Sequence, residues 1–212
     1  VLLALSANSP FIDGKDTGYA SWRYLSWSPW PSAGAPPHFN SAEEYHLARR
    51  AMLDSGAAMD AATVYWDVRL SANHPTVELR VCDVAATVDE AVLIAALTRG
   101  IAAMALSSRV PALDVAPHVL RAALWRSARD GVEGTNVDLQ TGSLVQATTQ
   151  VQALVTWVRP ALEAAGDYER VTDSVDRILL DGSGAARQRR AFQQHGNLED
   201  VVDLLIKQTA QG

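Results

Sequence analysis

Tyr65-Trp66-Asp67-Val68-Arg69 and Thr76-Val77-Glu78-Leu79-Arg80-Val81-Cys82-Asp83 alternate apolar and charged residues with a period of two, the pattern of strands that turn one face to a core. Asp67, Arg69, Glu78 and Arg80 therefore fall on polar faces. Ser71-Ala72-Asn73-His74-Pro75 joins the two segments and suits a hairpin connection, so the charged faces are expected side by side on one sheet surface, open to solvent. No other stretch of the chain concentrates mixed charge on predicted strands. Opposite charges across the strands are also what any hairpin with one wet face carries. Spacing alone leaves chemistry and plain structural pairing both open.

Outward from the hairpin the pattern becomes helical. Ser41-Ala42-Glu43-Glu44 is a capping box that opens a helix to about Asp54, with Gly56 placed to stop it, and Thr87-Val88-Asp89-Glu90 opens another that runs through Leu97 and Met104 to end near Pro111. Helices are predicted at roughly 117–130, 145–164, 168–180, 185–194 and 198–209, with Gly131, Gly166, Gly182 and Gly196 marking ends. Asn136 to Leu144 suggests a short strand or turn. Residues 11–40, rich in Gly, Pro, Ser and Trp, read as a long ordered loop carrying a short helix. No repeat, low-complexity tract or linker divides the chain. The expected class is α+β, an antiparallel sheet fragment backed by many helices. Two strands alone make no stable sheet, so further strands are expected from elsewhere.

At 212 residues the chain is long enough to bury a substantial core. A net charge of -6 argues against nucleic acid or an anionic membrane as a general partner. The lone Cys82 excludes an internal disulfide and points to a reducing, cytoplasmic setting. No uncharged apolar run approaches about 18 residues, which argues against a membrane span, and the opening Val-Leu-Leu-Ala-Leu lacks the pattern of a signal peptide. The five histidines show no metal-ligand spacing.

Five segments carry a wider likeness: Leu-Ser-Ala-Asn-Ser-Pro (residues 5 to 10), Asp-Thr-Gly-Tyr-Ala-Ser-Trp-Arg (16 to 23), the two hairpin strands, and Gly-Ser-Gly-Ala-Ala-Arg-Gln-Arg (182 to 189). In this order and spacing the chain resembles the glutamate-cysteine ligase type 2 family of carboxylate-amine ligases, whose fold is like that of glutamine synthetase. Members carry a further amino-terminal portion holding acidic metal ligands, and the chain, which starts at Val1, has no counterpart to it. Residues 1–212 are accordingly read as the carboxy-terminal portion of a single catalytic domain, and a start inside an element is expected.

The resemblance implies a reaction in which the γ-phosphoryl group of ATP, with Mg²⁺, activates the glutamate side-chain carboxylate, and the amine of cysteine or another acceptor then displaces phosphate. Such chemistry is mostly positioning and charge neutralisation, needing carboxylates for the metal and guanidinium groups for the phosphoryl oxygens. By the resemblance Glu78 is the metal ligand and Arg80 the cation facing the phosphate. Asp67 and Arg69 either join them, Asp67 adding acidity and Arg69 binding phosphate or a substrate carboxylate, or merely pair across the hairpin. Tyr19 and Arg23 lie in the segment similar to the substrate-receiving loop of related ligases and suit a zwitterionic amino acid, or else are a core aromatic and a solvent-exposed cation. Arg187 and Arg189 follow glycines at a predicted helix start, a plausible nucleotide anion site or an ordinary basic turn. Trp125, Arg126 and Arg129 could meet a nucleotide or form helix surface. Cys82 is expected to be packed and unreactive. The resemblance also suggests a homodimer. The competing reading is a non-catalytic helical interaction module whose sheet edge pairs with another chain.

Overall fold

The computed structural model describes residues 1–71, 73–107 and 115–210. Ala72 of the hairpin connection and Pro111, the expected end of the helix opened at Thr87, lie outside the described residues. In chain order the elements are α1 (Leu2–Leu5), β1 (Phe11–Ile12), β2 (Lys15–Asp16), α2 (Trp22–Trp27), α3 (Ala42–Asp54), β3 (Val68–Leu70), β4 (Val77–Leu79), α4 (Val88–Ser107), α5 (Pro117–Asp130), β5 (Thr135–Val137), β6 (Leu144–Gln146), α6 (Ala147–Ala165), α7 (Tyr168–Asp181), α8 (Gly184–His195) and α9 (Glu199–Ala210). The class is α+β, with three antiparallel two-stranded ribbons, β1·β2, β3·β4 and β5·β6, among the described residues.

Two compact units are formed, one from Val1–Trp22 with Cys82–Gly212 and the other from Arg23–Val81. In the first, α4, α6 and α7 bury Leu93, Leu97, Val151, Val158, Leu162, Val171 and Ile178 in one core. Close approach of α4 to α6 depends on Gly100, where an added Cβ would come within 3.2 Å of the Val158 Cβ. α4 is long and apolar enough to cross a bilayer by length and composition, and one stripe of it, Leu93, Ala96, Leu97 and Gly100, is buried here. Asp83, buried at the start of the returning chain, accepts from the Asn8 N–H at 2.8 Å and from the Ser9 and Ser21 hydroxyls at 2.7 Å each. Three distant parts of the sequence are thus tied at one carboxylate.

The second unit has a smaller core of Tyr45, Ala58, Val64 and Trp66, with Phe39, Met52 and Leu53 packed against it. β3 and β4 pair as the alternation requires, Val68 with Leu79, Arg69 with Glu78 and Leu70 with Val77. The expectation of an open polar face and a covered apolar face holds only in part: on the apolar side Trp66 and Val81 are buried but Val68, Leu70 and Val77 are 38%, 36% and 49% exposed, and on the charged side the Glu78 side chain is 40% exposed whereas that of Arg69 is 15% exposed. The charged groups fold onto one another and onto the backbone at Ala62 and Val64, which shields them. On the apolar side Trp66 packs into the core with Tyr45 and Phe39, and the strand residues beyond it are left more exposed.

Candidate active site

Glu78 is the centre of the charged ribbon face. Its Oε2 accepts from Arg69 Nε at 2.7 Å and its Oε1 from Arg80 Nη1 at 2.5 Å. Cross-strand pairing brings Arg69 to it, and the two-residue strand repeat brings Arg80 to it. The Arg69 bond, aided by Arg80, holds the Glu78 carboxyl below its ordinary range. Arg69 also donates Nη1 to the Ala62 and Val64 carbonyls at 2.9 and 3.1 Å. Arg80 instead sets its guanidinium over the Tyr65 ring, 5.7 Å from the centroid, within cation–π range.

Asp67 sits beside this group and is 9% exposed. Its Oδ2 accepts the Tyr24 hydroxyl at 3.0 Å, and its carbonyl accepts the Arg80 N–H at 2.8 Å, tying the strand ends together. Burial pushes the Asp67 pKa up to about 6, against the pull of the Tyr24 bond and the Arg23 charge. Burial, and then the Asp67 charge, push the Tyr24 phenol up. Arg23 donates Nη2 to the Arg80 carbonyl at 3.1 Å and lies over the Trp27 ring at 6.0 Å. Arg23, Asp67, Arg69, Glu78 and Arg80 are therefore brought together within the second unit.

Tyr19, Arg187 and Arg189 belong to the first unit. The Tyr19 ring packs against Trp22 and Trp125, with centroids 5.6 and 6.4 Å away. Arg189 makes a two-pronged pair with Asp16 at 2.8 and 2.7 Å and donates to the Tyr19 carbonyl at 2.9 Å. Arg187 pairs with Glu90 at 2.5 Å and donates to the Gly182 carbonyl at 2.8 Å. At the head of α8 the Glu133 carboxylate takes the Ser183 N–H at 2.5 Å and its hydroxyl at 3.1 Å. The protein's own carboxylates thus meet the amides and guanidinium groups of this segment. Arg126 bridges to Asp130 at 2.6 Å, and Arg129 stacks on Trp125 at 5.4 Å.

A divalent cation has limited support from these donors. Glu78 supplies one carboxylate, both of whose oxygens are engaged by guanidinium groups, and no cluster of three or more His, Cys, Asp or Glu able to hold a metal occurs among the described residues. Magnesium is usually held by one or two carboxylates together with substrate phosphates and waters. The described residues do not form a self-sufficient site for it.

Sequence reasoning left Tyr65, Tyr24 and Asp83 without roles. Tyr65 was legible in principle, since it shares the odd-numbered face with Asp67 and Arg69. Tyr24 and Asp83 find their partners across 43 and up to 75 residues respectively, and no local pattern marks them.

Comparison with known proteins now adds to this geometry. The family described as Glutamate-cysteine ligase family 2 matches residues 1–204. A protein of Mycolicibacterium vanbaalenii named "Putative glutamate--cysteine ligase 2-2" is 50% identical over 205 residues, covering 95% of this chain and 56% of that protein. One of the same name from Frankia alni is 48% identical over 212 residues, 99% of this chain and 55% of the relative. "Putative glutamate--cysteine ligase 2-1" of Saccharopolyspora erythraea is 48% identical over 209 residues, 98% and 56%. The chain spans a little over half the length of these curated relatives.

Proposed function

The chain belongs to Glutamate-cysteine ligase family 2, and on that premise we propose that it supplies part of the active site of an ATP-dependent ligase joining the glutamate side-chain carboxyl to the amine of cysteine or a similar acceptor. The observation that carries this reading is Glu78 held between Arg69 and Arg80 on one strand face. A cross-strand pair alone is what an ordinary hairpin carries; the second arginine on the same carboxylate is what goes beyond it. Here one carboxylate and two guanidinium groups leave a surplus positive charge, the sign that a migrating phosphoryl group requires.

In the proposed sequence an oxygen of the glutamate γ-carboxylate attacks the γ-phosphorus of ATP, the bond to the bridging oxygen breaks and ADP departs. The amine nitrogen then attacks the acyl carbon, its proton is lost, and the carbon–oxygen bond breaks to release phosphate. Arg80 faces the phosphoryl oxygens, Arg69 fixes Glu78 and reinforces the positive field, and Asp67 sets the strand ends. Arg23 and Tyr19 are assigned to amino-acid binding. Arg187 and Arg189 serve as nucleotide contacts only if their pairs with Glu90 and Asp16 open. Magnesium, carried on the nucleotide phosphates, supplies further charge neutralisation when bound, and Glu78 is the residue that would offer it an oxygen.

The greater length of the relatives supports a full-length protein in which further chain completes the site and a glutamine-synthetase-like domain. The same reading takes the enzyme as cytoplasmic and dimeric, and light scattering on the full-length protein tests the second point. Phosphate release with ATP, glutamate and cysteine tests the activity. Glutamate-dependent release is expected from the full-length protein, falling about 10²- to 10³-fold in Glu78→Gln and Arg80→Lys, the scale of losing one well-placed charge contact. Activity untouched by both substitutions would refute the site.

One observation favours a second reading, the interaction module: the apolar side of the β3·β4 ribbon is exposed at Val68, Leu70 and Val77. The two readings part on nucleotide binding. Mg-nucleotide raises the thermal midpoint of a ligase and leaves a pure interaction module unmoved.

A further inference from the structure

We propose that Tyr65 is a positioning residue for Arg80, its ring a fixed floor that keeps the guanidinium at the site of phosphoryl transfer. The inference rests on the ligase reading above.

Backbone and side-chain contacts both hold Arg80. Its backbone is fixed at both polar atoms, the N–H donating to the Asp67 carbonyl at 2.8 Å and the carbonyl accepting from Arg23 at 3.1 Å. The side chain beyond is long and rotamer-rich. Among the described residues two contacts restrain its head, the Glu78 carboxylate at 2.5 Å and the Tyr65 ring at 5.7 Å. These differ in kind. A carboxylate occupies an N–H donor, and it is the group the reaction would draw on if Glu78 turns toward a phosphate-borne cation. A ring face attracts the cation through its quadrupole and leaves the in-plane N–H donors available to an anion. The ring is therefore the restraint that persists while Arg80 works.

Tyr65 is itself well anchored. Its ring meets the Trp27 ring edge-on, with centroids 4.5 Å apart and planes at 88°, and lies 6.5 Å from that of Trp30. Its chain neighbours Val64 and Trp66 are buried in the core of the unit. Hydrogen-bonding atoms of the phenol play no part in the contact with Arg80, so the aromatic face alone should suffice.

The experiment uses the full-length protein carrying this chain, with Tyr65→Phe and Tyr65→Leu. Circular dichroism and thermal midpoint check folding, kcat and KM are read from phosphate release, and the Arg80 Nε–H resonance is followed by NMR. Tyr65→Phe should keep kcat within about twofold, because the ring survives. Tyr65→Leu should lower kcat about 5- to 30-fold with KM for both amino acids little changed, the loss of one cation–π contact acting in the transition state. The ring-current shift of the Arg80 Nε–H should persist in Tyr65→Phe and vanish in Tyr65→Leu. An unchanged kcat in Tyr65→Leu, an equal loss in Tyr65→Phe, or an Arg80 resonance indifferent to the ring overturns the inference alone. Absence of glutamate-dependent phosphate release in the unsubstituted protein overturns the ligase reading and this inference with it.

Discussion

Replacing Asp67 by Asn weighs burial against hydrogen bonding at one atom group. The carboxylate is 9% exposed, it accepts the Tyr24 hydroxyl at 3.0 Å, and burial raises its pKa to about 6. In the unfolded chain an aspartate titrates near about 3.9. Between those values the folded protein binds more protons than the unfolded one, so stability falls as pH rises. The favourable contribution is fully present below about pH 4 and is lost by the time pH has passed about 6. A shift of about two units corresponds to about 3 kcal/mol. Asp67→Asn keeps an acceptor for Tyr24 and removes the buried charge. The opposing pull of Tyr24 and Arg23 is already contained in that net shift. The expected result is a stabilisation of about 1–3 kcal/mol at pH 7, measured against the difference between the two proteins at pH 4. Urea unfolding of both proteins from pH 4 to 8 gives the gap directly; it should widen up to about pH 6 and level off by about pH 7. Carbon NMR of the Asp67 carboxyl should show a midpoint near 6, moving higher in Tyr24→Phe because a donor to the charged form is gone. A gap that is flat or narrows with pH, or a midpoint at or below about 4, refutes the reasoning.

Three further perturbations separate packing from charge. Gly184→Ala drives a Cβ into Asn8 Oδ1 and to 2.9 Å from Asn8 Cβ, where Gln188 also bonds at 2.7 Å; a loss of about 1–3 kcal/mol is expected in thermal unfolding. Asp83→Ala removes the acceptor shared by the Asn8 N–H and the Ser9 and Ser21 hydroxyls and should cost more than about 3 kcal/mol, with Asp83→Asn milder in the same denaturation assay because it keeps an acceptor. Glu78→Gln should change stability by less than about 1 kcal/mol, since its pairs are partly solvated at a side-chain exposure of 40%, even as turnover collapses; calorimetry beside the phosphate assay reads both.

Local signals in the sequence survive folding and remote ones do not. The Ser41 and Thr87 caps form as read, with Glu44 N–H bonded to Ser41 Oγ and Glu90 N–H to Thr87 Oγ1, each at 3.2 Å, while the glutamate side chains reach back one residue further, to the Asn40 and Ala86 N–H groups. Gly131, Gly166, Gly182 and Gly196 end their helices at positive φ, as residues without a Cβ do. The β3·β4 pairing keeps the charged set on one side as the alternation requires, since a slip of one residue would interleave the charged and apolar sets. Which side of the ribbon is shielded could not be read this way, since it depends on side chains folding back over the 61–64 backbone. The basic run at 187–190 looked like an open anion site because its partners are far off: Glu90 is 97 residues from Arg187, and Asp16 is 173 from Arg189. Nor does any compositional break mark the passages at 22/23 and 81/82 between the two units.

The two arginines that flank Glu78 look equivalent in sequence and are unlike in structure. Arg69 meets three acceptors, the Glu78 carboxylate and the Ala62 and Val64 carbonyls, and its side chain is 15% exposed. Turning it toward a ligand would break both carbonyl bonds. Arg80 meets one carboxylate and one ring face, with a side chain 27% exposed, and can exchange the carboxylate for an incoming anion while the ring still supports it. Guanidinium groups of equal charge are thus divided between a fixed field and an adaptable contact by what lies beneath them, backbone carbonyls in one case and an aromatic face in the other. A strand pattern reveals charge and side; the number of acceptors each cation satisfies decides which one is available for chemistry.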